Sequence, residues 1–293
     1  RPGWWHRASL HGVTQLPFRS VLFAPGNRAD VLAKLPRSGP DAAVIDLEDA
    51  TPADQKAEAR VIARQVTADL TASHPGLPLL VRINAADTGH FADDVADGLS
   101  PGLAGVVVPM LDSSEAVEAV ADALDAAGHT DLPIMAGLET VAGVVDARTV
   151  TTHPRVAWCY FGAEDYVVDL GGVRTDSNDE VAVARAQVAQ AARVGGVHAI
   201  DMVVRSLDDE ARFRRESAEA RALGFSGKLC IHPAHVALAH DCFQPTDAEI
   251  AWAGRVVEAW EAAVARGDAA IQVDGGMVDE PVARRARAIL GAD

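Results

Sequence analysis

Two apolar stretches of strand length each lead into a carboxylate. Ile134-Met-Ala-Gly-Leu precedes Glu139, and Ala157-Trp-Cys-Tyr-Phe leads through Gly162 to Asp165. Two carboxylates that neighbouring strands bring to one point repel each other, and each raises the pKa of the other. A divalent cation removes that conflict, and Mg²⁺ is usually held by one or two carboxylates together with water and substrate oxygens. The pattern therefore indicates either a Mg²⁺ site or two ordinary caps of the helices that follow.

Strand-like and helix-like segments alternate along most of the chain, which is typical of βαβ units and a parallel sheet. The unit recurs about eight times, the number that closes a (β/α)₈ barrel. A doubly wound sheet would carry a G-x-G-x-x-G turn after its first strand, and Pro25-Gly26-Asn27 is not that turn. We therefore predict an N-terminal arm over residues 1–18, a TIM barrel over 19–245, and a C-terminal helical lid extension over 246–293.

Several polar residues lie at or just after predicted strand ends: Glu48, Asp49, Arg82, Glu139, Glu164, Asp165 and His232. The carboxyl ends of all barrel strands share one face, where the active sites of such barrels lie. Seven unrelated caps would be the alternative. A single site that gathers these carboxylates, the arginine and the histidine explains the pattern better.

Composition excludes some partners. The formal net charge of −16 and a pI near 4.9 are unsuited to binding a phosphate backbone, so we expect no nucleic-acid partner. The three cysteines have no close pairing spacing, which is typical of thiols in a reducing compartment. No apolar run approaches the length of a membrane span, and the first residues lack the apolar region of a signal peptide. A cytoplasmic protein without a membrane partner is the expectation.

The chain resembles the HpcH/HpaI aldolase and citrate lyase beta-subunit family, in particular its malyl-CoA and citramalyl-CoA lyase branch, from about Arg19 to Leu290. The motifs that carry the resemblance are Arg19-Ser-Val-Leu-Phe-Ala-Pro-Gly-Asn-Arg28, Ile45-Asp-Leu-Glu-Asp-Ala50, Lys56-x-x-x-Arg60, Val81-Arg-Ile-Asn84, Leu138-Glu-Thr140, Phe161-Gly-Ala-Glu-Asp165, Cys230-Ile-His-Pro233 and Gly276-Met-Val-Asp-x-Pro281. Each motif alone is weak, whereas their order and spacing together are specific.

The resemblance implies a Mg²⁺ ion bound by Glu139 and Asp165. It also implies that Glu48 and Asp49 hold metal-bound waters or orient the substrate. Arg82 would bind the carboxylate of a 2-oxo acid, a task for which a planar guanidinium is better suited than a lysine.

Further implications concern coenzyme A, which family members bind as part of the substrate. Arg19, Lys56 and Arg60 would contact its phosphates or pantetheine, unless they simply belong to a solvated face. Asp279, in the C-terminal lid, would reach a neighbouring subunit's site as acid and base. That role requires a homo-oligomer, a trimer or a multiple of one.

The function so implied is a Mg²⁺-dependent carbon–carbon lyase that splits a 3-hydroxyacyl-CoA into acetyl-CoA and a 2-oxo acid. Three alternatives use the same residues. They are a malyl-CoA thioesterase, a citrate lyase beta-like subunit that acts on an acyl-carrier-protein thioester, and an aldolase that acts on free 2-oxo acids.

Overall fold

Eight parallel strands close into a barrel in the computed structural model, which describes residues 17–291. Each strand pairs with the next along the chain, and the last pairs with the first. The strands are β1 (Ser20–Pro25), β2 (Ala42–Asp46), β3 (Leu79–Arg82), β4 (Gly105–Val108), β5 (Ile134–Leu138), β6 (Val156–Phe161), β7 (His198–Asp201) and β8 (Gly227–Cys230). The predicted (β/α)₈ barrel is confirmed, whereas most of the predicted arm (residues 1–16) lies outside the described residues.

Helices connect the strands and continue beyond the barrel. They are α1 (Ala29–Leu32), α2 (Lys56–Ser73), α3 (Phe91–Asp93), α4 (Ser114–Ala126), α5 (Val141–Val145), α6 (Ala147–Thr151), α7 (Ala163–Leu170), α8 (Ala182–Gly195), α9 (Glu210–Leu223), α10 (Pro233–Cys242), α11 (Asp247–Arg266) and α12 (Glu280–Leu290). Short 3₁₀ segments cover Leu35–Ser38, Ala53–Gln55 and Asp179–Val181, and a π-helical turn covers Asp94–Gly98. No helix within residues 17–291 combines the length and the apolar character that a membrane crossing requires.

Alternation along the strands separates the barrel interior from the layer between strands and helices. The interior cluster takes at least one side chain from every strand: Phe18, Val21, Ala42, Val44, Leu80, Val107, Met135, Ala157, Trp158, Tyr160, Ile200 and Leu229. Residues of the opposite parity, such as Ile45 and Val81, pack against the helices. Because successive side chains on a strand point to opposite faces, the same parity selects which side chains reach the barrel mouth.

Strand register places two residue pairs side by side at that mouth. Asp46 at the end of β2 is aligned with Arg82 at the end of β3. Gly137 in β5 is aligned with Tyr160 in β6. Both pairs lie on the interior parity of their strands, so the barrel itself brings them to the carboxyl-end face.

A fully buried ionic cluster joins β7 and β8 to helices α8 and α9. Lys228 Nζ lies 2.6 Å from Asp201 Oδ2, and neither side chain is exposed to solvent. The Arg185 guanidinium binds both oxygens of Asp201 at 3.0 Å, and Glu216 Oε2 lies 3.9 Å from Lys228. The opposite charges balance, which allows ionic groups to be buried.

Residues 244–291 form a second compact unit, divided from the barrel unit between Phe243 and Gln244. Helices α11 and α12 enclose their own small core, which includes Trp260 and Val278. Between the helices lies an antiparallel hairpin, β9 (Ile271–Val273) and β10 (Gly276–Val278). Its turn residues Asp274 and Gly275 both have positive φ, as a tight hairpin turn requires. The helical extension is confirmed, whereas the hairpin was not predicted from the sequence.

Gly227 offers a test of how tightly the barrel closes. A Cβ there would overlap the Phe18 carbonyl oxygen and approach the Arg19 backbone to 2.7 Å. We expect Gly227→Ala to lower the free energy of unfolding by about 1–3 kcal/mol or more, measured by urea denaturation. Gly76→Ala, where a Cβ meets nothing within 4 Å, is the control and is expected to change stability by less than about 0.5 kcal/mol. Equal effects of the two substitutions would show that this closure is not tight.

Candidate metal and substrate site

Glu139 is the buried carboxylate at the centre of the barrel mouth. It directly follows β5 and is only 3% exposed. Its Oε1 accepts hydrogen bonds from the backbone N–H of Met110 at 2.9 Å and from the hydroxyl of Tyr160 at 3.0 Å. Burial, and secondarily the negative charge of Asp165, raise the pKa of Glu139 to about 7.

Two backbone features make room for Glu139. A Cβ on Gly162 would overlap Glu139 Oε2 and come within 2.5 Å of Glu139 Cβ, so only glycine fits there. Met110 has a φ of +56°, a left-handed conformation that is strained for a side chain of its size. That conformation accompanies the hydrogen bond from its N–H to the carboxylate.

Asp165 lies in the first turn of α7, three residues after Gly162. Partial burial and then the negative charge of Asp49 raise the pKa of its carboxyl group. The charge of Asp165 in turn raises the pKa of Glu139. The two predicted metal ligands are therefore electrostatically coupled, as the sequence predicted.

Arg82 is the cation of the site. Its Nε and one terminal nitrogen bind Asp46 Oδ1 and Oδ2 at 2.8 and 2.6 Å, and the other terminal nitrogen lies 2.9 Å from Glu48 Oε2. Its guanidinium also lies over the Phe23 ring, 5.3 Å from the ring centroid. Burial alone would lower the pKa of Arg82, but its bonds to Asp46 outweigh that effect and raise it.

Glu48 and Asp49 follow β2 and face Arg82 from the same loop. Asp49 Oδ2 lies 3.9 Å from an Arg82 nitrogen. Burial raises the pKa of Glu48 to about 8, because the opposing effect of Arg82 is smaller and Asp49 and Glu139 add negative charge. A carboxyl group with a pKa in this range exchanges a proton near neutral pH.

Two site residues were missed by the sequence analysis as functional positions. Asp46 orients Arg82, and its carboxylate also accepts bonds from the N–H groups of Glu48 and Ala50. Tyr160 binds Glu139, and burial raises its pKa well above the ordinary value, so that its hydroxyl remains a donor. Strand parity was the available signal, since Asp46 shares the parity of Val44, and Tyr160 shares that of Trp158.

Lys56 and Arg60, predicted to contact coenzyme A, are buried behind the loop that follows β2. Lys56 Nζ donates to the carbonyls of Leu47 and Glu48 at 2.8 and 3.0 Å. Arg60 binds Asp94 at 2.7 Å. These contacts fasten the loop after β2, and a coenzyme A contact of either cation stays a prediction.

Arg19 precedes β1, so it lies at the amino end of the barrel strands, opposite the face that carries the carboxylates. Its guanidinium and its backbone N–H bind Asp41 at 2.7–3.0 Å. The structure does not bring Arg19 to the candidate site. The motif suggested a coenzyme A contact, whereas the position of Arg19 at a strand start indicates the opposite end of the barrel.

The remaining predicted positions have distinct surroundings. Glu164 pairs with Arg174 at 2.9 Å. His232 caps α10 through its Nδ1, which accepts from the N–H of Ala234 at 3.2 Å. Asp279 belongs to the C-terminal unit, where it caps α12 by accepting from the N–H of Val282 at 3.2 Å.

A cavity of about 380 Å³ opens beside Arg82. Asp46, Asp49 and Arg82 form its polar side. Its apolar lining comes from β1, β8 and the segments that follow β7 and β8: Phe23, Ala24, Val203, Leu229 and Ile231. The cavity thus presents one cation and two carboxylates next to a hydrocarbon wall, and the cation offers a contact to a small anionic molecule with an apolar part.

The donor set fits Mg²⁺. Within residues 17–291 no group of three or more His, Cys, Asp and Glu side chains is arranged to enclose a metal, which disfavours a fully protein-ligated zinc site. Glu139 and Asp165 are hard carboxylates with raised pKa values, and the absence of a side chain at Gly162 leaves room for Glu139. Such a pair matches an ion that is held by few protein ligands.

The chain is a (β/α)₈ barrel protein, and these groups lie on the carboxyl-end face of its barrel. Enzymes of that fold have their active sites on this face. The chain belongs to the HpcH/HpaI aldolase/citrate lyase family, whose sequence model matches residues 19–233. The family that the motifs predicted is therefore confirmed, and it is a family of aldolases and lyases.

Three relatives place the chain further. It is 54% identical to a citrate lyase subunit beta-like protein of Deinococcus radiodurans, over 93% of this chain and 96% of that one. It is 34% identical to a (3S)-malyl-CoA thioesterase of Cereibacter sphaeroides, over 90% of each chain. The crystal structure of CitE from Mycobacterium tuberculosis in complex with magnesium, acetoacetate and coenzyme A superposes with a TM-score of 0.79 at 28% identity, over 95% of this chain and 98% of that one.

The raised pKa of Glu48 has a testable consequence for stability without metal. In the unfolded chain Glu48 loses its proton near its ordinary pKa of about 4.3, whereas in the folded chain it holds the proton up to about pH 8. The folded state therefore binds more protons in this window, and the free energy of unfolding falls as pH rises through it. We expect Glu48→Gln to make that fall shallower in urea titrations with EDTA.

The control is Glu58→Gln, at an exposed position on α2, which is expected to leave the pH dependence unchanged. Parallel stability–pH curves for wild type and Glu48→Gln would contradict the assignment.

Proposed function

We propose that this chain is a Mg²⁺-dependent carbon–carbon lyase that cleaves or forms a 3-hydroxyacyl-CoA such as malyl-CoA or citramalyl-CoA. Cleavage gives acetyl-CoA and a 2-oxo acid, and synthesis joins them. The observation that carries the proposal is the pair Glu139 and Asp165, whose pKa values are raised beside the half-buried Arg82. The M. tuberculosis complex, which holds magnesium, an oxo acid and coenzyme A, supports the same ligand set here.

Glu139 and Asp165 would hold the ion, which when bound polarises the oxygens of the oxo acid and offsets negative charge that develops on them. Arg82 would orient the substrate carboxylate through the guanidinium edge that faces Glu48, because its other edge is occupied by Asp46. Asp49, on the polar side of the cavity, and Glu48, beside Arg82, would hold metal-bound waters or orient the substrate.

In the cleavage direction, the substrate hydroxyl would lose its proton to the ionised form of Glu48, whose pKa near 8 makes it a stronger base than an ordinary carboxylate. The carbon–carbon bond then breaks, the hydroxyl carbon becomes the carbonyl of the 2-oxo acid, and the bonding electrons pass to the thioester as an enolate. Asp279 would donate a proton to the enolate carbon and so form acetyl-CoA. In synthesis each step runs in reverse.

Hydrolysis is the second candidate, because a relative at 34% identity is a (3S)-malyl-CoA thioesterase. In that case water attacks the thioester carbonyl, and free coenzyme A and the hydroxy acid are the products. The same ion and acid–base group serve both reactions, so only product identity separates them. A citrate lyase beta-like role on a carrier-protein thioester is consistent with the D. radiodurans relative.

Product analysis by mass spectrometry tests the proposal. We expect malyl-CoA to give acetyl-CoA and glyoxylate, and citramalyl-CoA to give acetyl-CoA and pyruvate, with Mg²⁺ but not with EDTA. Glu139→Gln is expected to lower turnover at least about 100-fold, because it removes one metal ligand charge.

The control substitution is Glu115→Gln, at an exposed position in the first turn of α4, and it should leave turnover intact. Free coenzyme A with malate or citramalate as products would establish the thioesterase instead. Turnover that persists in EDTA would contradict the role of the ion.

Asp279 can be tested without disturbing the helix that it caps. Asp279→Asn keeps the side-chain acceptor at the helix start, and asparagine caps helices about as well as aspartate. We expect this variant to unfold like wild type but to lose most of its turnover at saturating substrate, because asparagine transfers no proton. Full turnover by Asp279→Asn would exclude the acid–base role.

Co-expression of Asp279→Asn with Glu139→Gln tests whether subunits share sites. If Asp279 serves a neighbouring subunit, random mixing leaves about a quarter of the sites with both native residues, and activity returns. If each site is built within one subunit, no chain has both residues and the mixture stays inactive.

A further inference from the structure

Tyr160 places a hydroxyl group in the otherwise largely hydrocarbon interior of the barrel. The side chain belongs to the interior cluster and is only 2% exposed. Phenylalanine would fill nearly the same space without a polar atom to satisfy, and a buried hydroxyl destabilises a protein unless it is hydrogen-bonded. The hydroxyl therefore indicates a task beyond packing, and its partner shows what that task is.

The partner is the carboxylate of Glu139. The Tyr160 hydroxyl donates to Oε1 at 3.0 Å, and the Met110 N–H donates to the same oxygen at 2.9 Å. Oε2 lies where a Cβ of residue 162 would be, and Gly162 directly precedes the helix that carries Asp165. Two donors on one oxygen determine the rotation of the carboxylate and direct its second oxygen towards Gly162, at the start of that helix.

Gly137 keeps the path of the phenol open. It is aligned with Tyr160 across the β5–β6 pair. A Cβ at position 137 would lie 2.5 Å from the Tyr160 hydroxyl oxygen and 2.9 Å from Cα of Pro109. The hydroxyl thus reaches Glu139 only because its neighbour on the adjacent strand has no side chain.

We propose that Tyr160 is a positioning residue for the metal site: its hydroxyl fixes Glu139 through Oε1 and so presents Oε2 to Mg²⁺. The inference rests on the proposed function, since it assumes that Glu139 binds the ion. Tyr160 touches neither substrate nor metal in this scheme. Its effect is on the affinity for the ion, and polar groups that orient metal ligands commonly contribute about 10–100-fold to that affinity.

Isothermal titration calorimetry with MgCl₂ tests the inference directly, without any substrate. We expect Tyr160→Phe to bind Mg²⁺ about 10-fold or more weakly than wild type. The matched control is Tyr166→Phe at the chain's other tyrosine, which packs edge-on against Phe161 and is expected to bind like wild type. Equal affinities of wild type and Tyr160→Phe would overturn the inference and leave the proposed function intact. A wild-type protein that does not bind Mg²⁺ would overturn both.

Thermal unfolding separates positioning from a purely structural role. A structural hydroxyl would lower Tm equally in EDTA and in Mg²⁺, and that result would overturn the inference. A positioning hydroxyl reduces the increase in Tm that Mg²⁺ produces. Gly137→Ala, which displaces the phenol from the opposite strand, is the second variant and is expected to reduce the same Mg²⁺-dependent increase.

Discussion

The site depends on one constraint, which is that carboxylate groups at the barrel mouth are partly or fully buried from water. Asp46 and Glu139 are buried, Glu48 is half-buried, and Arg82 lies among them. An ion removed from water without compensation costs several kcal/mol. The chain therefore compensates each group separately, Asp46 with two nitrogens on one edge of the Arg82 guanidinium, and Glu139 with an amide and a phenol. The negative charge that these contacts do not compensate makes the mouth a favourable place for a divalent cation.

Behind the charged face, a second set of polar contacts holds the loop that follows β2. Asn84 binds the Leu47 carbonyl and Asp94, and Asp94 in turn binds Arg60. Lys56 closes the same network by binding the Leu47 and Glu48 carbonyls. Asp46 and Arg82 thus lie at the face of the site, whereas Lys56, Arg60 and Asn84 support it from behind.

The barrel and most of the site face were predictable from the sequence, since strands buried on both faces appear as apolar runs whose ends mark one face. What was not predictable depends on tertiary register. Parity shows that Asp46 points inward, but only the alignment of β2 with β3 shows that Arg82 is its partner. Lys56 is on a helix whose periodicity does not distinguish a ligand contact from a bond to the preceding loop. The hairpin strands at Ile271–Val278 are only three residues each, too short to produce a periodic pattern.

Several hydrogen bonds within the chain hold the loop after β2. Its carbonyls bind Lys56 and Asn84, and the Asp46 carboxylate caps its first amides. Fixing the backbone of one flexible residue in a single conformation costs roughly 1–2 kcal/mol in conformational entropy. Because the loop that carries Glu48 and Asp49 is already ordered, this entropy is lost when the chain folds and not when substrate binds. Under the proposed function, substrate would therefore meet a loop that is already ordered on this side of the mouth.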